Sequence, residues 1–285
     1  MAKTIGNPLS WTAHRLADAS GHIAHSVGRI GGDERIEPRI RAMTLQDIRQ
    51  VLRAGLDDFG ALRTDVMFIV LMYPIIGVLL VFFASNANLM HLVFPMIAGF
   101  ALIGPFTAVG LYEVSRRRER GEQVSWLAAL GVVRSPNFAA IVVLGLYLAA
   151  IFVVWIVVAH LVWAATLGPV APDGVSAFLE AVFTTSAGWA MIVIGTFVGF
   201  CFALAVLVTS VISFPLLLDH NVGVPTAVVT SYRVFRRNPR VILAWGLTVA
   251  VLLLLGSIPA FVGLIIVLPV LGHATWHLYR RAIEV

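Results

Sequence analysis

Six apolar runs of about 20 to 30 residues, at 66–85, 92–112, 138–163, 187–216, 239–257 and 258–277, alternate with connections that carry Lys and Arg by parity. The segment before the first run holds nine of the 20 Lys and Arg, the second-to-third connection five, the fourth-to-fifth four when Arg240 at the start of the fifth run is counted with it, and the tail two. The other three connections hold none. A helix needs about 20 apolar residues to cross a bilayer, and retained cytoplasmic loops are enriched in Lys and Arg. The pattern predicts an all-α polytopic membrane protein with six transmembrane helices and both termini cytoplasmic. The last two runs are joined at Gly256-Ser257-Ile258-Pro259, a connection so short that they should form a tight helical hairpin.

Hydrophobic residues make up 59% of the 285 positions and charged residues 12%, against about 25% charged in typical soluble domains. A water-soluble core could not bury that excess. A net charge of +5 then reflects topology and attraction to anionic lipid headgroups rather than nucleic-acid binding. The partners expected are the anionic bilayer surface and either another membrane protein or a second copy of the chain. Residues 1–40 contain no apolar core of a cleavable signal, so the first span should itself direct insertion. Cys201 is the one cysteine, which gives neither a disulfide framework nor a thiol metal cluster.

Residues 1–42 are rich in Gly, His, Arg and Asp without helical period, which predicts a flexible cytoplasmic arm. Residues 43–285 form the membrane domain. Thr44 is placed as a helix N-cap with Asp47 at the answering position. Leu45, Ile48, Val51, Leu52, Leu56 and Phe59 follow at helical spacing, with Arg49, Arg53, Asp57 and Asp58 on the other faces. Such a helix should lie in the headgroup plane. Residues 125–133 and 225–235 repeat the arrangement, giving three cytoplasmic interfacial amphipathic helices, each preceding two spans. The second span of each pair bears a proline, Pro105, Pro215 and Pro269, expected to kink it. Surface helix plus helical hairpin would then recur as a threefold pseudo-repeat. Gly195, Gly199 and Ala203 form a small-residue seam, and Gly145/Ala149 and Gly246/Ala250 repeat the spacing, which lets helices approach closely.

Polar side chains near the ends of the even spans form the candidate functional cluster: Tyr112, Glu113, Arg116, Asp219, His273 and His277. His273 and His277 are one turn apart, and carboxylates could reach them if the even spans converge. A metal or proton-relay site is one reading of that spacing. Interfacial anchoring of helix ends is the other, and it is preferred. For haem, only His91 and His160 form a plausible cross-helix pair, while His14, His22 and His25 fall in the arm. Zinc-protease, serine-hydrolase and phosphate-loop signatures are missing from the sequence. Asp173 and Glu180 sit on the opposite side, on a loop with a short helix at 175–184. No catalytic, cofactor-binding or metal-binding residue is assigned, and no cofactor is expected.

Gly110-Leu-Tyr-Glu113, Phe214-Pro-Leu-Leu-Leu-Asp219, Thr230-Ser231 and Leu268-Pro-Val-Leu-Gly-His-Ala-Thr-Trp-His-Leu-Tyr-Arg280 resemble a bacterial integral-membrane family of unknown function, numbered 2189, over residues 40–283. The resemblance implies a six-span protein of the bacterial cytoplasmic (inner) membrane, in a family some of whose members are labelled putative cytochrome c oxidase subunit. It brings no catalytic residues. The five His outside the arm are too few for a haem–copper catalytic subunit, which leaves an accessory role beside a respiratory complex. Three functions stand: a non-enzymatic protein acting through protein or lipid partners, a small-solute transporter or channel guarded by Glu113 and Asp219, and that accessory subunit. The first is the leading expectation.

Overall fold

The computed structural model describes residues 38–86, 89–122, 126–168 and 174–284. The described chain is all-α apart from one pair of two-residue strands, β1 (Arg39–Ile40) and β2 (Ile283–Glu284), which pair antiparallel. The predicted arm therefore ends in a docked segment at 39–40. Residues 1–37 of it, with His14, His22 and His25, lie outside the described residues, as does Asp173.

Helix α1 (Leu45–Asn86) runs unbroken for 42 residues, about 63 Å at 1.5 Å per residue. Its start is as the local chemistry demands: Asp47 Oδ2 accepts from the Thr44 backbone N–H at 2.7 Å and from its hydroxyl at 2.9 Å. The expected separate surface helix at 44–59 is corrected here. It is the first half of α1, continuous with the apolar run that follows. The face that packs overlaps the expected stripe in part, since Val51 is in the core and Ile48 and Leu52 pack against it. Val51, Gly55 and Asp58 are buried, while Leu45 and Leu56 are exposed.

The second apolar run is three helical pieces, α2 (Met90–Leu102), α3 (Gly104–Thr107) and α4 (Val109–Glu119). Pro105 stands in the first turn of α3, where its missing N–H is tolerated. Thus it restarts a helix instead of kinking one. A nine-residue 3-10 segment, Trp126–Arg134, follows, where a surface α-helix was expected. Gly110 of α4 sits against Ala129, and Gly131 against the Arg117 guanidinium. The tight 3-10 winding lets the segment lie flat on α4.

Helix α5 (Phe138–Thr166) is followed by α6 (Val175–Thr184), α7 (Ser186–Ser210) and α8 (Ser213–Asp219). The break between α7 and α8 is held by α9 (Val224–Arg237): Ser231 Oγ donates to the Val208 carbonyl at 2.7 Å and accepts from Ile212 N–H at 3.4 Å. Pro215 falls within the restarted α8. Helix α9 is amphipathic, burying Ala227, Thr230, Ser231 and Val234 and exposing Val229 and Tyr232. Helices α10 (Pro239–Ser257) and α11 (Leu264–Ala282) form the expected hairpin. Its turn is six residues long, 258–263, so α11 begins later than the run at 258. Ala260 and Phe261 take left-handed backbone angles, φ 47° and 66°, and Gly256 touches Gly263 backbone to backbone. Pro269 lies inside α11, which stays continuous. The three proposed units thus differ in their first element and at their prolines, and the threefold repeat does not carry into the structure.

Three helical stretches are long and apolar enough to cross a membrane among the described residues: Phe138–Thr166, Ser186–Asp219 and Pro239–Ser257. Met90–Gly99 and Val175–Thr184 are shorter apolar helices. Val153, Val157, Phe197, Phe200, Leu247 and Leu254 point outward from them, which is costly in water and favourable in hydrocarbon. The buried core gathers around α8, residues 269–282 of α11 and the inner faces of α5 and α10, with Leu144, Phe214, Leu216, Leu217, Trp245, Trp276 and Tyr279 closed from solvent. Helix α11 lies antiparallel along α1. Asp47 meets Arg281 at one end and Gly77 meets Phe261 at the other.

Candidate functional site

The basic segments meet at one end of the molecule. There α1, α4, α8 and α11 bring together four carboxylates, Asp58, Glu113, Asp219 and Glu119, each surrounded by donors from its own or a neighbouring helix.

The innermost is Asp58, on α1 one turn beyond Gly55. At Gly55 a Cβ would come within 2.6 Å of the Val270 carbonyl and 2.8 Å of Ala274. Glycine there lets α1 approach α11 closely and carries Asp58 into the interface. Asp58 Oδ2 accepts from Ser115 Oγ at 2.6 Å and lies 2.9 Å from His277 Nε2, while Oδ1 accepts from Arg118 Nη1 at 2.7 Å. Ser115 Oγ is also 2.8 Å from His273 Nδ1. Its one hydroxyl hydrogen goes to the carboxylate, so its oxygen is left to accept from that nitrogen. Burial pushes the Asp58 carboxyl up. The hydrogen bonds from His277 and Ser115 and the charge of His277 outweigh it, leaving the group below its ordinary value.

Glu113 is 2% exposed. Its two oxygens accept from Arg116 Nε at 2.8 Å and Arg117 Nε at 2.6 Å, both on the same helix. Arg116 also donates to the Leu218 carbonyl at 3.0 Å, which ties α4 to α8. Tyr112 is buried beside it.

The third carboxylate, Asp219 at the end of α8, accepts from Tyr279 Oη at 3.0 Å and faces Arg280 and Arg120 at 3.5 Å. Glu119 completes the bridge, accepting from Trp276 Nε1 at 3.1 Å and Arg280 Nε at 3.0 Å.

The six residues expected to form one cluster therefore lie at one end but in three groups. Asp219 reaches Tyr279 and Arg280 rather than the two His. Glu113 is held by its own helix. The His pair turns to Asp58 and Ser115, which sequence reasoning passed over because Asp58 was assigned to a solvated face. The signal was its register with Val51 and Gly55, since a carboxylate on a face flattened by glycine must find partners. Asn137 and Asn238 were also missed. Asn137 Nδ2 donates to the Leu217 and His220 carbonyls, both at 2.8 Å. Asn238 accepts from Met43 N–H at 2.7 Å and donates to the Arg41 carbonyl at 3.0 Å. Each sits just before a long apolar helix and pins a neighbouring strand of backbone.

Among the described residues no group of three or more His, Cys, Asp or Glu is placed to hold a metal ion. At the opposite end His91 Nε2 and His160 Nδ1 are 3.0 Å apart, and the His91 ring stacks on Trp163 at 3.9 Å. That separation is shorter than two metal–nitrogen bonds of about 2 Å in line would give. Of the small-residue seam, Gly199 presses on Trp155, with a Cβ position 3.1 Å from the ring. Gly195 has only Val162 at 4.0 Å, and Ala203 is exposed.

Residues 93–219 match the model of a family described as "Predicted integral membrane protein (DUF2189)". The match takes in the Gly110–Glu113 and Phe214–Asp219 segments and stops before Ser231 and the His pair. Neither a curated protein nor a solved structure matches the chain.

Proposed function

We propose that this integral membrane protein crosses the bacterial cytoplasmic membrane six times with both termini inside, and acts without catalysis through lipid or protein partners. One observation carries the reading: the carboxylates at the basic end are taken up in bonds within and between helices, so this polar constellation clasps the bundle. A substrate site needs polar groups directed at a ligand. Here Asp58 joins α1, α4 and α11, and Asp219 joins α8 to α11. The outward apolar side chains of α5, α7 and α10 supply the lipid contact, and the gathered cations favour the anionic cytoplasmic leaflet. A transport path guarded by Glu113 and Asp219 is less favoured, because both already hold cationic neighbours at contact distance.

Purification in a mild detergent followed by native mass spectrometry tests the reading. A stoichiometric protein partner or retained lipid is the expected result. A monomer free of both contradicts it, and solute flux in liposomes reconstituted with the pure chain would favour the transport path.

A further inference from the structure

A cavity of about 490 Å³ opens at the basic end between the segment preceding α1, the first turns of α1 and the last turn of α11. Its polar wall is Arg41, Asp47, Gln50, His277, Arg280 and Arg281. The volume suits a small ligand or headgroup. Three guanidinium groups against one carboxylate make the wall cationic.

The three arginines are anchored but not saturated. Arg281 Nη1 donates to Asp47 at 2.6 Å, Arg41 meets Glu284 at 3.0 Å, and Arg280 Nε donates to Glu119 at 3.0 Å. A guanidinium carries five N–H donors in a fixed plane, so Arg41 and Arg281, each oriented by one carboxylate, and Arg280, oriented by Glu119 and Asp219, keep donors left over. That fork geometry matches phosphate oxygens. Position adds the rest. Arg280 and Arg281 come directly after the buried apolar stretch of α11, at the depth where a phospholipid headgroup lies in the proposed topology. Basic pockets between helices on that side take such headgroups. His277 forms part of the wall and also bonds Asp58, so an occupant would touch the clasp between α1, α4 and α11.

We infer that this cavity binds a phosphate ester, presented by an anionic phospholipid headgroup, with a soluble phosphate as the other source of the same chemistry. The inference rests on the reading that lipid is among the partners, and it names the place and the chemical class.

The test equilibrates the full chain in detergent with phosphatidylglycerol, with phosphatidylcholine, and with inorganic phosphate, and counts bound ligand by native mass spectrometry. Gln50→Glu adds a negative charge to the wall while keeping every ion pair. Arg41→Gln with Arg281→Gln removes two cations. Arg236→Gln with Arg237→Gln on α9, outside the cavity, is the control. Wild type should prefer phosphatidylglycerol to phosphatidylcholine. Each unit of charge lost from the wall should weaken retention about fivefold, and the control should match wild type. Displacement of the lipid by inorganic phosphate, or phosphate binding alone that weakens in Gln50→Glu, assigns the soluble source and supports the inference. Equal retention in wild type and both wall variants, or an equal fall in the control, overturns it while leaving a general lipid role intact. If wild type holds neither lipid nor phosphate the inference falls, and the broader reading falls with it only when no protein copurifies either.

Discussion

The two ends of this bundle solve the same problem, closing apolar helices against each other, by different means. At the basic end α1, α4, α8 and α11 are stitched by carboxylates, Asn amides and a serine hydroxyl, with Asp58 accepting from three side chains. At the other end the fastening is aromatic and apolar: the His91–His160 pair, the stack on Trp163, and Phe178 and Val182 packed around it. The difference follows from where water is displaced. The end holding the Arg-rich connections brings charge with it, so its helices can close only if each buried charge is partnered. The opposite end carries almost none, and shape suffices. A polar group at the first end is therefore costly to remove, and one at the second is not.

The sharpest way to break that contrast is Asp58→Ala. It strands Arg118, Ser115 and His277 around a vacant site and should cost about 3 kcal/mol or more, read as a large fall in thermal midpoint in detergent. A cost below about 1 kcal/mol would place the closure elsewhere. Next comes glycine geometry. Gly55→Ala forces α1 away from Val270 and Ala274 and should cost about 1–3 kcal/mol. Gly195→Ala, with only Val162 at 4.0 Å, should be nearly neutral by the same assay.

Acid offers a third, smaller probe. The Asp58 carboxyl titrates below its ordinary 3.8 in the folded chain, so its contribution is present above that value and is lost as pH falls through the folded one. Asp47 shifts the same way: burial raises it, and bonds from Thr44 and Arg281 win. Unfolding followed against pH should show loss of stability below about pH 4, diminished in Asp58→Asn. Smallest of all, His160→Phe at the opposite end should change stability by less than about 1 kcal/mol, because the pair it breaks is exposed.

Much of this fold was legible where a local signal bounded it. Pro239–Ser257 is the predicted run to the residue, since Asn238-Pro239 starts it and Gly256 ends it. The start at Thr44 and the helix at Val175–Thr184 needed only their capping neighbours. What stayed hidden depends on tertiary contact. Hydropathy treats a lipid-facing leucine and a core leucine alike, so the burial of α11 from Pro269 onward could not be told from the exposure of α7. The break at 211–212 carries no glycine and is held by Ser231 from a later helix. Asp58 was hidden for the same reason, because its partners come from helices 57 and 219 residues further along.

Which end faces the cell interior decides the proposed topology. Single cysteines at Gly121, beside the Arg-rich end, and at Gly174, next to the opposite helix, in a Cys201→Ser background, can be probed in intact cells with an impermeant maleimide. Labelling at 174 from outside, and at 121 only after permeabilisation, is the result expected. Equal labelling of the two, or labelling of 121 from outside, contradicts it.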